Sequence, residues 1–441
     1  MTAGLGKVAR AKLPSGASLV LETSKVLPLV SIVVAFRSGA ALDEAGKEGR
    51  ARLAVRMLRR GSKGLDAAST EAALDRLGAE LGAEVSTSSV VVYAQVLSRN
   101  LPQVADLLRR ILAEPEFPKD ELGHLLRETK AEIVDSRDND RALCDKFFRR
   151  ALFDGHPYGR TVRGTDASLD QLGDADVRAA HALHLRPNDA IVAFAGDVDE
   201  PAARELAEKI LSGLAPGTST PDPVTEPTPK AGRHLVFVDK PERTQTQILI
   251  GSLGTSAHDP DHVPLSVANG VFGGTFTSRL MREVRSKRGW SYGASARLSL
   301  ERHRHSFAMW TFPAAKDAAA CIALEIELLA KAIEGGITPR ELTFMQRYLV
   351  RSHAFEVDTA QKRVHQELDV ELLGLPADSH SAWLDKVRAV TVDQANAALR
   401  ARLSTKDLLV TVVGTASELL APISAAIPDL ASTQVVPFDA P

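Results

Sequence analysis

Asp407-Leu408-Leu409-Val410-Thr411-Val412-Val413-Gly414 is an acid, an unbroken apolar and β-branched run, and a glycine, with a helical pattern after it. Asp189-Ala190-Ile191-Val192-Ala193-Phe194-Ala195-Gly196 has the same construction and is also followed by a helical pattern. Continuous apolar runs of this length read as strands buried on both faces. Two of them in matching contexts point to a duplicated unit of roughly 200 residues. Working outward, each half opens on a pair of adjacent strands, 17–22 and 29–37 in the first and 235–238 and 245–250 in the second. Adjacent strand pairs followed by helices predict an α+β fold, an antiparallel sheet covered by helices on one face, rather than a doubly wound parallel sheet.

Between the halves the composition changes. Pro216, Pro221, Pro223, Pro227 and Pro229 stand among Gly, Ser and Thr with no apolar period, which reads as an extended linker. The expected domains are therefore 1–215 and 233–441, joined by a linker at 216–232. Elsewhere, 101–113 carries a helical stripe of Val104, Leu107, Leu108 and Ile111. The segment 67–77 reads as a helix with Ser69 and Thr70 as cap candidates.

The 441 residues carry a formal net charge of only −2, so no global field attracts nucleic acid. No apolar run is long enough to span a bilayer. Cys144 and Cys321 stand far apart and imply neither a disulfide framework nor a metal cluster. Met1–Gly6 lacks a basic region followed by an apolar stretch, so the expected location is cytoplasmic as the sequence stands, or periplasmic if a leader precedes it.

The stretch most suggestive of chemistry runs from Gly273-Gly274-Thr275-Phe276-Thr277-Ser278-Arg279-Leu280 through Arg285 and Gly289 to Tyr292. A chain doubling back at Gly289 brings the Arg285 guanidinium and the Tyr292 phenol together. They form a set of hydrogen-bond donors without a strong base, suited to a carbonyl oxygen or a developing oxyanion. The plain alternative is a solvated helix arginine and a half-buried strand tyrosine. His303 and His305, and His181 and His184, lack a third ligand and read as surface or packing residues; His156 reads as a turn residue.

Nearly the whole chain resembles the M16 metallopeptidase family. Active members carry, after a glycine, a helix with the zinc pattern H-x-x-E-H. Here the frame is Gly49-Arg50-Ala51-Arg52-Leu53-Ala54-Val55-Arg56-Met57-Leu58-Arg59-Arg60-Gly61. Arg52 and Arg56 stand at the two zinc histidines and Val55 at the general-base glutamate. A guanidinium keeps its proton and does not ligate zinc, and valine takes no proton from water. Glu132-Ile133 matches the family's Glu-Ile, whose Glu is the third zinc ligand; here Glu132 either pairs with an arginine or is solvated. Residues 78–86 resemble the family's substrate-holding edge segment, with Gly82 in place of Asn and Val85 in place of Thr. Gly82, Ala83 and Glu84 are its candidate substrate-binding residues.

Residues 273–292 match the family's second-half motif closely, and Arg285 and Tyr292 fall on its R/Y pair, which contacts the substrate carbonyl. The resemblance implies a chain that holds no metal or cofactor and is not catalytic alone. It implies half of a clamshell-shaped, heterodimeric zinc endopeptidase acting on peptides or unfolded protein, its partner an M16 chain with intact H-x-x-E-H and zinc. A structural homologue akin to the core subunits of respiratory complexes, or a peptide-binding module without a peptidase role, is the alternative.

Overall fold

A computed structural model describes residues 7–217 and 223–440. Met1–Gly6 and linker residues 218–222 lie outside the described residues. The chain forms two compact units, one of Met1–Ile133, Arg160–Val224 and His353–His380, the other of Val134–Gly159, Thr225–Ser352 and Ser381–Pro441. Compared with the contiguous halves expected from the linker, each unit gains one helical segment from the other half of the sequence.

The strands are Ala9–Lys12 (β1), Ser18–Thr23 (β2), Leu29–Phe36 (β3), Gly61–Ser62 (β4), Leu65–Asp66 (β5), Glu80–Val85 (β6), Val90–Leu97 (β7) and Ala190–Gly196 (β8) in the first unit. In the second they are Arg233–Asp239 (β9), Gln247–Leu253 (β10), Ala294–Leu298 (β11), Ser306–Thr311 (β12), Leu408–Gly414 (β13) and Leu430–Pro437 (β14). β4 and β5 form a small hairpin. The six-stranded sheets run β1-β2-β8-β3-β7-β6 and β11-β12-β10-β13-β9-β14. Read from opposite edges, the two orders superimpose: β8 and β13 hold equivalent inner positions, and β6 and β11 end equivalent edges.

The sheets are mixed rather than purely antiparallel as the sequence suggested. β2 pairs with β8 in parallel, and β13 and β14 both pair with β9 in parallel. The closing strand of each repeat returns only after several helices, and a long crossover allows parallel pairing where a hairpin does not. The runs that opened the sequence reading behave as inner strands should: all of β13, and β8 except its final glycine, is buried. The helix Ala67–Leu77 forms as expected, but Asp66, not Ser69 or Thr70, caps it by accepting from the Ser69 N–H.

Helices cover both faces of each sheet, not one. In the first unit the second face meets the helix Ala360–Leu373, whose Val364 and Leu368 pack on Val20, Val33, Ile191 and Ala193. Arg363 pairs with Glu22, Nε to Oε2 at 2.8 Å and Nη2 to Oε1, and Arg37 donates to Glu371 at 2.8 Å. In the second unit the helix Asp140–Leu152 lies against β9, β10 and β13, burying Leu143, Cys144, Phe147 and Phe148. Lys240 donates to Asp140 at 2.6 Å, and the Cys144 thiol points at the carbonyls of Gln247 and Thr411. Both cysteines are free and buried.

One buried charge-bearing group stands out in the second core. Glu325, on the helix Ala318–Gly335, is fully buried; Thr311 Oγ1 donates to its Oε2 at 3.4 Å, and Oε1 has no hydrogen-bond partner. Burial pushes this carboxyl from 4.5 up to about 8. The folded chain thus keeps a proton that the unfolded chain releases above 4.5, so this group lowers stability as pH rises from about 4.5 to 8, with no further loss above. Glu325→Gln should remove that slope and stabilise the protein by about 1–3 kcal/mol at pH 8, with little gain at pH 4. Thermal unfolding of both proteins across this range measures it; parallel pH profiles would contradict it.

Candidate functional site

In the first unit the helix Arg50–Met57 holds the positions of the degenerate zinc pattern. Its start is fixed from outside. The buried Asp43 carboxylate accepts from the N–H groups of Gly49 and Ala51 at 3.1 Å, and burial pushes its pKa up to about 6. Gly49 adopts φ 96°, and a side chain there would come within 2.8 Å of the Arg163 carbonyl oxygen.

Arg52 and Arg56 lie one helical turn apart on one face, and both reach Glu132. Arg52 Nη2 donates to Oε2 at 2.8 Å and Arg56 Nη1 to Oε1 at 2.9 Å, with a second bond from Arg56 to Thr129 Oγ1 at 3.2 Å. Arg163 adds a longer contact at 3.8 Å. Burial alone would raise the Glu132 carboxyl, but Arg52 and then Arg56 hold it below the usual carboxylate range. The carboxylate is therefore paired rather than solvated. Two guanidiniums and an apolar Val55, only 1% exposed, do not form a zinc site. Among the described residues no group of three or more His, Cys, Asp or Glu side chains is placed to hold a metal ion.

Beside this helix runs β6, an edge strand. Ala83, Glu84 and Val85 join Arg52, Val55 and Arg56 around an open cleft of about 360 Å³. Gly82 does not line it. The ring of Tyr93, directly across on β7, lies over Gly82, where a Cβ would fall 2.2 Å from Tyr93 Cζ. The residues drawn from the zinc helix and from the edge segment thus share one cleft.

The second motif lies in the other unit. Its glycines are structural: a Cβ at Gly273 would meet Ala296 Cβ at 2.5 Å, and the neighbouring Asn269 amide donates to the Ala296 carbonyl at 2.9 Å. Ser278 caps the next turn, and Arg279 is tied bidentately to Glu341 at 2.8 and 2.6 Å, holding that carboxyl at about 2 against the effect of burial. The stretch then forms one α-turn, Arg279–Met281, followed by a wider π-turn, Arg282–Ser286, with the Lys287 N–H bonding the Arg282 carbonyl at 3.0 Å. Gly289, at φ 66°, reverses the chain, and Ser291 is pinned between the Gly293 carbonyl and the Phe312 N–H.

Tyr292 is consequently turned out, 80% exposed, and its hydroxyl makes no hydrogen bond among the described residues. Arg285 rests over the ring of Phe276 at 4.7 Å and makes no side-chain hydrogen bond among the described residues. No hydrogen bond links Arg285 to Tyr292. Phe276, itself 69% exposed, is the residue the sequence reading passed over. Its presence inside the motif was visible, but stacking between positions nine apart across a turn leaves no periodic signal. The histidines set aside earlier are all engaged. His184 is buried against Ser38, His181 meets the Leu112 carbonyl, and His303 and Glu226 pair at 3.1 Å.

Residues 19–166 match the insulinase family, peptidase family M16, and residues 172–349 match the peptidase M16 inactive domain. The chain belongs to the M16 family. It is 22% identical to the non-peptidase homologue YmxG of Helicobacter pylori over 92% of this chain and 93% of that one. It is 27% identical to an uncharacterized zinc protease of Mycobacterium tuberculosis over 90% of each. Its fold matches the crystal structure of a peptidase M16 inactive domain from Pseudomonas fluorescens with a TM-score of 0.87 at 24% identity, covering 92% of this chain and 98% of that one. It also matches a protease from Helicobacter pylori with a TM-score of 0.81 at 18% identity, over 93% of this chain and 100% of that one. The chain is an M16 homologue that carries arginine, valine and arginine at positions 52, 55 and 56.

Arg52→His, Val55→Glu and Arg56→His together should convert the arginine pair into a metal site, because Glu132 already reaches both helix positions. Elemental analysis should find about one zinc per triple-variant chain. The unaltered chain should hold none and cleave no peptide alone. Stoichiometric zinc in the unaltered protein, or none in the variant, would contradict the reading.

Proposed function

We propose that this chain is the zinc-less subunit of a two-chain M16 endopeptidase. Its partner is an M16 chain with an intact His-x-x-Glu-His helix and its own zinc, and the two close as a clamshell on a peptide or unfolded segment. The observation that carries this reading is the state of the second motif. Tyr292 is turned to solvent with an unbonded hydroxyl, and Arg285 is held on Phe276 without an acceptor. A chain kept only as a scaffold has no need to hold two donors free on a rigid turn, whereas a carbonyl oxygen gaining negative charge needs such donors already in place. Arg285 and Tyr292 act as oxyanion donors, and the partner supplies metal and base.

A second reading is favoured by one observation, the cleft between β6 and the arginine-bearing helix. An extended peptide can add to the free edge of β6, beside Gly82, Ala83 and Glu84, and be held there without being cut. Assay of the reconstituted pair separates the two. Tyr292→Phe, which removes one oxygen, and Arg285→Ala should each lower the partner's turnover by about 10²–10³-fold. Assembly measured by size should be unchanged, and Arg302→Ala should have little effect. If both variants assemble and keep full turnover, the peptide-holding or scaffold reading takes its place.

A further inference from the structure

The two large sheets have four edges, and three carry charge. β1, with 4 residues, bears Arg10 and Lys12; β6 bears Glu80 and Glu84; β11, with 5, bears Arg297. Charges and short length are how edge strands resist pairing with other chains. β14, Leu430-Ala431-Ser432-Thr433-Gln434-Val435-Val436-Pro437, is 8 residues long and carries none. None of its residues is buried, and 431–435 are all exposed, so the covering layer reaches it only at its start, where Leu430 packs on the core. Its inner edge is used by β9, in regular parallel register from Ser432 to Pro437 after an irregularity at Ala431. Its outer edge has no strand beside it among the described residues.

We propose that β14 pairs with β14 of a second copy of this chain, antiparallel about a two-fold axis at Thr433. Three features select this occupant. A two-fold axis requires a self-complementary patch, and an antiparallel pair of one strand with itself has that symmetry. With the axis at Thr433, like meets like in the regular part of the strand: Thr433 faces Thr433 and Ser432 faces Gln434, and the irregularity at Ala431 ends the matched register there. Moving the axis by one residue, to Gln434, sets Thr433 against Val435 and Ser432 against Val436, which loses both polar matches. Finally, an edge bearing Arg or Glu would set a charge on this neutral row, and β14 is the one large-sheet edge of the chain without charge. Pro437, which cannot donate, falls beyond the matched pairs. Pairing joins the two second-unit sheets into one continuous sheet across the axis.

The test uses the full chain without any other subunit. Analytical ultracentrifugation should show a reversible dimer. Thr433→Lys sets two ammonium groups face to face and should weaken it by about tenfold or more. Because Thr433 is exposed, circular dichroism, and the melting temperature measured at concentrations where both proteins are monomeric, should not change. Independently, Thr433→Cys should form an inter-chain disulfide under mild oxidation. Val436→Cys, which does not face its own copy, should cross-link far less; the natural cysteines are buried and should not contribute. A chain that stays monomeric up to about 100 µM overturns the proposal. So does a dimer unaffected by Thr433→Lys, or equal cross-linking at 433 and 436. None of these outcomes bears on Arg285 and Tyr292, which lie outside β14.

Discussion

Each sheet in this protein has two apolar faces, and the helices of its own sequence half close only one. That constraint is met by exchange: residues 353–380 belong to the first unit and 134–159 to the second. The adhesion is mainly apolar. Burying Val364 and Leu368 against the first sheet contributes about 1.5–3 kcal/mol for each side chain. The Glu22–Arg363 pair adds little net energy, since both groups lose water. Removing Arg363, however, would leave the nearly fully buried Glu22 carboxylate alone at a cost of about 3–5 kcal/mol. Apolar area thus holds the helix down, and the ion pair specifies where along the sheet it sits. The second unit repeats the device with Lys240 and Asp140.

The helix bearing Arg52 and Arg56 shows how a half-buried carboxylate is satisfied by its neighbours. Without those two arginines the Glu132 carboxylate would be partly buried and unpaired. Arg52 and Arg56 convert that liability into a bridged ion pair, with Thr129 and Arg163 completing the surroundings. The scaffold around it persists, including the Asp43 cap and the left-handed Gly49, because these determine how the helix enters the fold rather than what it binds.

The second motif divides in a similar way. Gly273, Ser278 and Arg279 are consumed by close packing, capping and the bond to Glu341. What remains unspent is Phe276, Arg285 and Tyr292, all in one motif around a π-turn and a glycine reversal. Unspent donors on a rigid support carry far more functional information than the same residue types in the core.

Much was legible in the sequence because it is written in short segments. Buried runs at 189–196 and 407–414 announced the duplicated inner strands, since an inner strand must be apolar on both faces. Side-chain type at 52, 55 and 56, and the closeness in sequence of Arg285 and Tyr292, are also readable without any fold. Only the tertiary structure decided the parallel pairings, the exchanged helices, the capture of Glu132 by Arg52 and Arg56, and the bare outer edge of β14. These join residues 80, 76 and, for Glu22 and Arg363, 341 positions apart. Local periodicity records which face of an element is apolar; it does not record which distant element comes to cover it, and for β14 it could not show that no described strand pairs with its outer edge.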